Sequence, residues 1–352
     1  MTEKIDLYSM LPEELESYFV SLGEPKFRAK QVFMRLAVGE RIAEITNLPK
    51  TLRARLVEET LDTLPCVEEK LVSKIDGTVK YLFRLYDGSC IESVLMRYKH
   101  GNTLCISSQV GCRMGCKFCA STIGGKARDL YPSELLGQIL AAQRDSGERV
   151  SNVVMMGIGE PLDNFDNVIK FLKLVNHPDG VNIGYRHISL SSCGVVPGIR
   201  KLAELELPIT LSISLHAATD EKRSEIMPVN KKWNIEELLS ACVYYYSVTG
   251  RRISFEYTLI SGKNDTEADA RELAALLKNA FRGTGAPIHV NLIRVNEVKE
   301  TGFKKGSTES ANNFAKALEK SGVVATVRRR LGADVNAACG QLRRSAMKEQ
   351  SE

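Results

Sequence analysis

Three cysteines stand within eight residues, at Cys112, Cys116 and Cys119, in the pattern C-x3-C-x2-C. Thiols at this spacing require a tight loop, and Gly111 and Gly115 let the backbone fold around a bound group. Thiolates are soft ligands, which bind zinc or iron–sulfur clusters. The spacing therefore predicts a metal site on this loop.

The sequence offers no nearby fourth ligand, because the next cysteine is Cys193 and the next histidine is His177. A structural zinc site normally closes with a fourth ligand at short spacing. Three cysteines on a [4Fe–4S] cluster would leave one iron open, and an open metal position is where a catalytic site binds substrate or cofactor. A zinc site, or a chance grouping of buried cysteines, remains the alternative.

A second unusual cysteine, Cys339, lies in a basic tail. Residues 326–344 contain five arginines and one acid, Asp334. Small neighbours leave the thiol approachable, and nearby arginines favour the thiolate. Arginines also suit phosphates. A basic tail alone is usually a solvated chain end, but a cysteine between alanines and a glycine is unusual there.

The composition is that of a globular protein, with 352 residues, 43% hydrophobic, 26% charged, and a formal net charge of +5. This charge permits an anionic partner without requiring one. Nine cysteines in a chain of this length are not typical of a secreted disulfide scaffold. The start of the chain lacks the apolar core of a signal peptide, and no apolar run is long enough to cross a membrane. We therefore expect a cytoplasmic protein with no membrane partner.

The elements before the cysteine loop change character near residue 65. Residues 10–62 are expected to form short helices with several lysines and arginines, which could grip a phosphate backbone, although a solvated helix face fits the charge pattern better. Residues 68–98 alternate in polarity around Asp76-Gly77 and Asp87-Gly88, which predicts a three-stranded meander.

From residue 103 a strand and then a helix recur six times. The predicted strands are Thr103–Ser107, Asn152–Met156, His187–Ser191, Ile209–Leu215, Ile253–Leu259 and Ile288–Ile293. The predicted helices lie near Ser133–Asp145, Asp166–Asn176, Gly198–Glu206, Ile235–Thr249, Thr266–Arg282 and Thr308–Ser321. Six such units predict an α/β fold with a parallel sheet, an open partial (β/α)6 barrel.

The predicted domains are an N-terminal helical accessory domain for RNA binding (1–65), a β-meander linker (66–100), the partial barrel (101–330) and a C-terminal segment with Cys339 (331–352). Distinctive motifs follow the strands, on the face that carries active sites in αβ barrels. They are G-I-G-E-P-L-D-N (157–164), S-L-S-S-C-G (189–194), S-L-H-A (214–217), T-L-I-S-G-K-N-D (258–265) and N-L-I-R-V-N (291–296).

The cysteine triplet, with the aromatic Phe118 before its last member, resembles the signature of the radical S-adenosylmethionine (SAM) superfamily. The resemblance implies a [4Fe–4S] cluster on Cys112, Cys116 and Cys119, whose open iron holds the amino and carboxylate groups of SAM. It also implies reductive cleavage to a 5′-deoxyadenosyl radical.

Nearly the whole chain resembles the RlmN branch of the RlmN/Cfr family of RNA methyltransferases. The matching segments include G-E-P-K-F-R-A-K-Q, L-C-I-S-S-Q-V-G-C-R-M-G-C-K-F-C, M-P-V-N and D-V-N-A-A-C-G-Q-L. The resemblance implies methylation of carbon 2 of adenosine in 23S rRNA, at the peptidyl-transferase centre, and in tRNA, next to the anticodon. It also implies two SAM molecules per turnover and a flavodoxin- or ferredoxin-like electron donor of unidentified kind.

The resemblance assigns roles to three further residues. Cys339 would carry the methyl group as methylcysteine, Cys105 would attack the sulfur of Cys339 to form a transient disulfide, and Glu92 would accept the proton from carbon 2. Without the resemblance, Cys105 could equally be a buried strand cysteine, and Glu92 would be an ordinary exposed acid. The positions that match SAM-binding residues are Gly159, Glu160, Ser191, Ser214, Leu215, His216 and Asn296.

Three other functions remain open from the sequence. The antibiotic-resistance branch of the family methylates carbon 8 and typically lacks the proline of G-E-P-L, which is present here as Pro161. Another radical SAM enzyme would need the triplet but not a methyl-carrying cysteine. A non-enzymatic RNA-binding protein with structural zinc would need neither cluster nor radical.

Overall fold

The architecture is that of a computed structural model, which describes residues 4–297, 302–329 and 331–335. The helices are α1 (Pro12–Ser21), α2 (Phe27–Leu36), α3 (Lys50–Glu59), α4 (Pro132–Ser146), α5 (Phe165–Asn176), α6 (Val196–Glu204), α7 (Asp220–Ile226), α8 (Ile235–Thr249), α9 (Glu267–Ala280) and α10 (Thr308–Lys320). The strands are β1 (Cys66–Val72), β2 (Val79–Arg84), β3 (Cys90–Tyr98), β4 (Gly101–Cys105), β5 (Gln109–Gly111), β6 (Lys126–Asp129), β7 (Val150–Met155), β8 (Ile188–Ser192), β9 (Thr210–Ser214), β10 (Ile253–Leu259), β11 (His289–Arg294) and β12 (Val324–Val327).

One sheet organises the molecule, with strand order β1-β2-β3-β4-β7-β8-β9-β10-β11-β12. The strands from β1 to β4 pair antiparallel, so the predicted meander is present and continues directly into the parallel part. From β4 to β12 every pairing is parallel. The predicted α/β fold class and its six strand–helix units are therefore confirmed.

The number of parallel strands corrects the prediction, because β12 adds a seventh strand at the edge of the sheet. Its four residues alternate between exposed and half-buried, and arginines follow them. An edge strand needs only one partner and little burial, so its sequence resembles a polar chain end. The two-stranded ribbon β5–β6, which encloses the cysteine loop, was also not predicted.

Local signals explain the longest helices. In α4, Pro132 occupies the first turn, Glu134 accepts a hydrogen bond from the Tyr131 amide at 2.9 Å, and Gly147 ends the helix with φ of 69°. In α8, the Asn234 side chain caps the first turn and Gly250 ends the helix with φ of 62°. No helix in the described ranges is long and apolar enough to span a bilayer.

The N-terminal helices pack on the outside of the sheet's helical layer. Phe19, Phe33 and Leu56 are buried in the same apolar cluster as Leu135 of α4 and Leu174 of α5. Polar contacts fix the docking as well: the Ser133 hydroxyl donates to the Asp6 carboxylate at 2.6 Å, and Lys30 pairs with Asp179 at 3.0 Å. Removing this module would uncover apolar surface on α4 and α5.

Candidate active site

A cavity of about 370 Å³ opens at the carboxyl ends of the parallel strands. Ten of the predicted site residues line it. They are Cys105, Cys112, Cys116, Cys119, Gly159, Glu160, Ser191, Ser214, His216 and Asn296. Strand ends that meet at one edge of a parallel sheet bring sequence-distant motifs together, which is why a set spread over almost two hundred residues shares one cavity.

Three of the predicted site residues are not among those that line the cavity. The Leu215 side chain is fully buried and does not line the cavity, so this residue can reach a ligand there only through its backbone. Glu92 is also fully buried rather than exposed, and it does not line the cavity. Cys339 lies outside the described residues.

The three cysteines of the loop face the cavity, with Cys112 and Cys116 buried and Cys119 half-buried. Burial raises the pKa of the Cys112 thiol to about 12 and also raises the pKa of the Cys116 thiol, and each is raised further by the charge of Cys119. A bound cation would reverse this, because a coordinating thiol is deprotonated. The loop therefore offers three thiolate ligands to a metal centre.

The three loop cysteines are compatible with a cluster. On a cubane cluster each cysteine binds a different iron, and all three cysteines line one cavity.

The loop that contains Gly159 and Glu160 is held against the end of β4. Gly159 has φ of 112°, and a Cβ there would lie 2.7 Å from the Gln109 backbone nitrogen. Glu160 is buried, and its two oxygens accept hydrogen bonds from the amides of Leu162 at 3.0 Å and Cys193 at 2.7 Å. Burial raises the pKa of this carboxyl, while the two amides oppose the increase. A buried carboxylate fixed at the cavity wall is suited to bind a ligand's ammonium group.

His216 follows β9 in the left-handed region, with φ of 60°. Its Nδ1 accepts a hydrogen bond from the Thr258 amide at 2.9 Å, so this nitrogen carries no proton and Nε2 carries it. Burial, together with the nearby Arg223 charge, lowers the pKa of His216 to about 3. The imidazole therefore stays neutral at physiological pH. Phe118 of the cysteine loop packs edge-on against it, with ring centroids 5.0 Å apart.

Cys105 ends β4 opposite Val94 of β3 and beside Val154 of β7. It is 5% exposed and forms a small apolar cluster with Val94 and Met96. Leu331, just before the segment that contains Cys339, packs against this cluster and also lines the cavity. Cys105 and Cys193 are therefore two thiols outside the triplet that line the same cavity.

Glu92 shares the inner face of β3 with Val94, because side chains two residues apart point to the same side of a strand. Its carboxylate pairs with the Lys80 ammonium of β2 at 3.2 Å, and the two side chains are 0% and 1% exposed. Lys80 was not among the predicted site residues. The sequence feature that could have identified Lys80 is a lysine within the otherwise apolar strand V-K-Y-L-F. It lies two residues before buried Leu82 and therefore on the same face of the strand.

The rim of the cavity is positively charged. Arg294, Lys305, Arg328 and Arg329 all line it. The chain after β12 is tied down by the β1–β2 turn: the Ser73 hydroxyl donates to the Asp334 carboxylate at 2.7 Å, and the Gly332 amide donates to Asp76 at 2.9 Å. Residues 331–335 are therefore held beside the sheet, and Leu331 lines the cavity.

Comparisons with known proteins agree with this geometry. Residues 106–276 match the family model of the radical SAM superfamily, and residues 5–61 match that of the ribosomal RNA large subunit methyltransferase N-terminal domain. A probable dual-specificity RNA methyltransferase RlmN of Alkaliphilus oremlandii is 55% identical over 97% of this chain and 98% of its own length. One from Clostridium botulinum (strain Eklund 17B / Type B) is 55% identical over 96% of each chain.

A solved structure has the same fold. The crystal structure of a radical SAM methyltransferase from Sphaerobacter thermophilus superposes with a TM-score of 0.90, at 40% identity, over 96% of this chain and 98% of that one. The similarity covers the N-terminal helices, the sheet and the cavity together. The chain belongs to the RlmN family of radical SAM RNA methyltransferases.

Proposed function

We propose that this protein methylates carbon 2 of adenosine in 23S rRNA, at the peptidyl-transferase centre, and in tRNA, next to the anticodon, using Cys339 as the methyl carrier. The observation that carries the proposal is Cys105, a thiol outside the triplet that lines the same cavity as the three loop cysteines and packs beside Leu331, at the start of the C-terminal segment. Methyl transfer to a nucleophile would need no such thiol. The names of the curated relatives, dual-specificity RNA methyltransferases, support the two RNA classes.

The proposed cofactors have defined partners in the chain. Cys112, Cys116 and Cys119 would hold the [4Fe–4S] cluster, which when bound supplies the electron that cleaves SAM to the radical that activates the carried methyl group. The SAM site would combine the Glu160 carboxylate, the serines at the ends of β8 and β9, neutral His216 and the Asn296 side chain. Gly159 lets the backbone approach, and Leu215 would contribute only backbone atoms.

Carbon 2 of adenine is electron-poor and does not attack a methyl donor, so the chain must supply the bond-forming group itself. Cys339, as thiolate, takes one methyl group from SAM and becomes a thioether. After the activated carbon has added to the base, Glu92 accepts the carbon-2 proton and the adduct gives up one electron, which the cluster would take back. Cys105 then loses its proton and attacks the sulfur of Cys339. The carbon–sulfur bond breaks as the disulfide forms, and the released carbon keeps the bonding electron pair and takes up a proton to complete the methyl group.

The environment of these groups suits the roles. Cys105 lies opposite Val94, two residues from Glu92 on β3, so Glu92 and Cys105 share one face of the sheet. The Lys80 ammonium pairs with the buried Glu92 carboxylate. The positive rim would contact phosphates of the RNA while a target base, turned out of its stack, enters the cavity.

Carbon 8 is the second candidate for the methylated atom. Pro161, which is buried directly after Glu160, matches the carbon-2 branch of the family and favours the first candidate. A different radical SAM enzyme is less well supported, because such an enzyme has no use for Cys105 and Cys339.

Mass spectrometry of digested RNA tests the proposal. The reconstituted protein is incubated anaerobically with SAM, a reductant and either 23S rRNA or tRNA. We expect 2-methyladenosine in both RNAs. A product of 8-methyladenosine would overturn the carbon-2 assignment, and 5′-deoxyadenosine without methylated adenosine would overturn the substrate assignment.

A further inference from the structure

Arg223 of α7 is fully buried, yet it has no acidic partner among the described residues. Its guanidinium donates only to neutral oxygens: Nε to the Leu215 carbonyl at 3.0 Å, Nη1 to the Asn230 side chain at 2.8 Å, and Nη2 to the carbonyls of Cys193 at 2.7 Å and Ser214 at 3.2 Å. Burying a cation without an anion is costly. A fold that retains a buried cation of this kind is expected to hold a negatively charged group near it.

The hydrogen bonds of Arg223 join motifs from three parts of the chain. The carbonyls of Cys193 and of Ser214 and Leu215 stand at the carboxyl ends of β8 and β9, inside the S-S-C-G and S-L-H-A motifs. Asn230 belongs to M-P-V-N, a motif with no role so far. Its amide nitrogen donates to the Asp220 carboxylate at 2.9 Å, which turns its oxygen towards Arg223.

The cysteine loop packs on the same helix. The Lys117 amide donates to the Ile226 carbonyl at 2.9 Å, and Cys116, Cys193, Ile226 and Met227 form one apolar cluster. The surroundings of Arg223 and the cysteine loop are therefore apolar, and they screen the charge of Arg223 only weakly.

We infer that Arg223 is a positioning residue with two effects on the cofactors: its charge stabilises the reduced iron–sulfur cluster, and its hydrogen bonds hold the strand ends that bind SAM. The inference rests on the proposed binding of both cofactors to this cavity. Three thiolates bring negative charge into an apolar site, and reduction adds one more. A fixed buried cation offsets that charge most strongly in the reduced state.

Three single variants of the full chain, reconstituted anaerobically, separate the two effects. Arg223→Gln removes the charge, Arg223→Lys keeps the charge but cannot reach four oxygens, and Lys222→Gln removes a charge from the adjacent residue. Lys222 is a matched control because it lies half-exposed on the same helix and pairs with Asp269 at 2.6 Å. Iron content and circular dichroism establish that each variant is loaded and folded.

The readouts are the midpoint potential of the cluster, from an EPR-monitored redox titration without RNA, and the dissociation constant for SAM. Arg223→Gln should shift the midpoint potential to more negative values and weaken SAM binding. Arg223→Lys should keep a potential near that of the parent protein while the SAM dissociation constant rises about tenfold, as expected for losing hydrogen bonds from a charged group. Lys222→Gln should change neither.

An unshifted potential in Arg223→Gln would overturn the charge effect, and unchanged SAM affinity in Arg223→Lys would overturn the positioning effect. If Arg223→Gln does not fold, the lysine variant still decides, since a large negative shift of its potential contradicts the inference. These readouts involve no RNA. They therefore stay valid if the methylated atom is carbon 8, and a parent protein that binds no cluster would instead refute the proposed function.

Discussion

Charged side chains are buried at the inner face of the sheet but exposed in the N-terminal helices. Around the cavity, Lys80, Glu92, Glu160 and Arg223 are almost fully buried, and each contacts specific partners. In the N-terminal helices the charges lie at the surface, as in the Arg35–Glu40 pair. Buried charges cost free energy unless they are compensated, so their concentration around the cavity favours a role in chemistry, whereas exposed pairs cost little and carry no such information.

The same contrast bears on RNA binding. Residues 1–62 contain nine lysines and arginines and eleven acids. Several of the bases pair with acids, including Lys30 with Asp179 and Arg41 with Asp62. The unbalanced positive charge lies instead at the cavity rim. The expectation that the N-terminal helices supply a basic grip therefore has less support from charge than the expectation that the rim contacts phosphates.

The largest effect should come from the two cysteines that are proposed to form the transient disulfide. Cys105→Ala and Cys339→Ala should each reduce RNA methylation to background, because one variant cannot release the product and the other cannot take up the methyl group. Product formation is measured by mass spectrometry of digested RNA. Cys66→Ala is the matched control, since Cys66 is exposed on β1 and should tolerate the change. Full activity in Cys339→Ala would refute the carrier role.

The second-largest effect should come from the buried Lys80–Glu92 pair. Lys80→Met leaves the Glu92 carboxylate buried without its cation and should destabilise the protein by about 3–5 kcal/mol. The double variant Lys80→Met/Glu92→Leu should recover most of that loss, which urea unfolding of the four proteins in the cycle would show. For the exposed pair Arg35–Glu40 the same cycle should give a coupling of about 0.2–1 kcal/mol. Equal couplings at the two sites would contradict the difference between buried and surface charges.

A smaller effect is expected from the backbone at Gly159. Gly159→Ala forces a Cβ against the Gln109 amide, whereas at Gly262, with φ of 71°, no atom lies within 4 Å of the position that a Cβ would take. Gly262→Ala should therefore cost only the strain of a left-handed residue, roughly 1–2 kcal/mol. Gly159→Ala should cost more and should also weaken SAM binding. Equal stability of the two variants would contradict the close approach at Gly159.

The smallest effect concerns charge in the N-terminal helices. Lys26 and Lys50 are exposed, and replacing both with glutamine should lower the salt dependence of RNA binding by about 0.9 for each lysine that contacts a phosphate. Replacing Arg328 and Arg329 at the rim should lower it at least as much. Binding measured at several salt concentrations gives the slopes. An unchanged slope in the lysine variant would rule out a phosphate grip by those residues.

Periodic elements could be predicted well from the sequence. The predicted α8 and β10 match the structure to the residue, because one has clear capping signals and the other alternates apolar and polar residues along its length. Short elements could not be predicted. The seven residues of α7 read D-E-K-R-S-E-I with no apolar period, and that helix is stabilised by the buried contacts of Arg223.

The site was predictable where spacing or family motifs carried it, as for the cysteine loop and Glu160. Arg223 gave no such signal, and Lys80 gave only its position within the apolar strand V-K-Y-L-F, because a lysine or arginine is expected to be exposed unless the fold buries it. Only the pairing of β2 with β3 brings Lys80 to Glu92, and only the packing of α7 under the strand ends brings Arg223 to the cavity. These contacts depend on tertiary structure rather than on local sequence.

The central claim, that the methyl group travels through Cys339 of this chain, can be tested most directly with an isotope. The protein is first incubated with SAM that carries a ¹³C methyl group, then desalted and given RNA, a reductant and unlabelled SAM for a single turnover. If Cys339 is the carrier, the first 2-methyladenosine formed contains ¹³C from the protein. A first product without the label would show that the methyl group comes directly from SAM and would contradict the account.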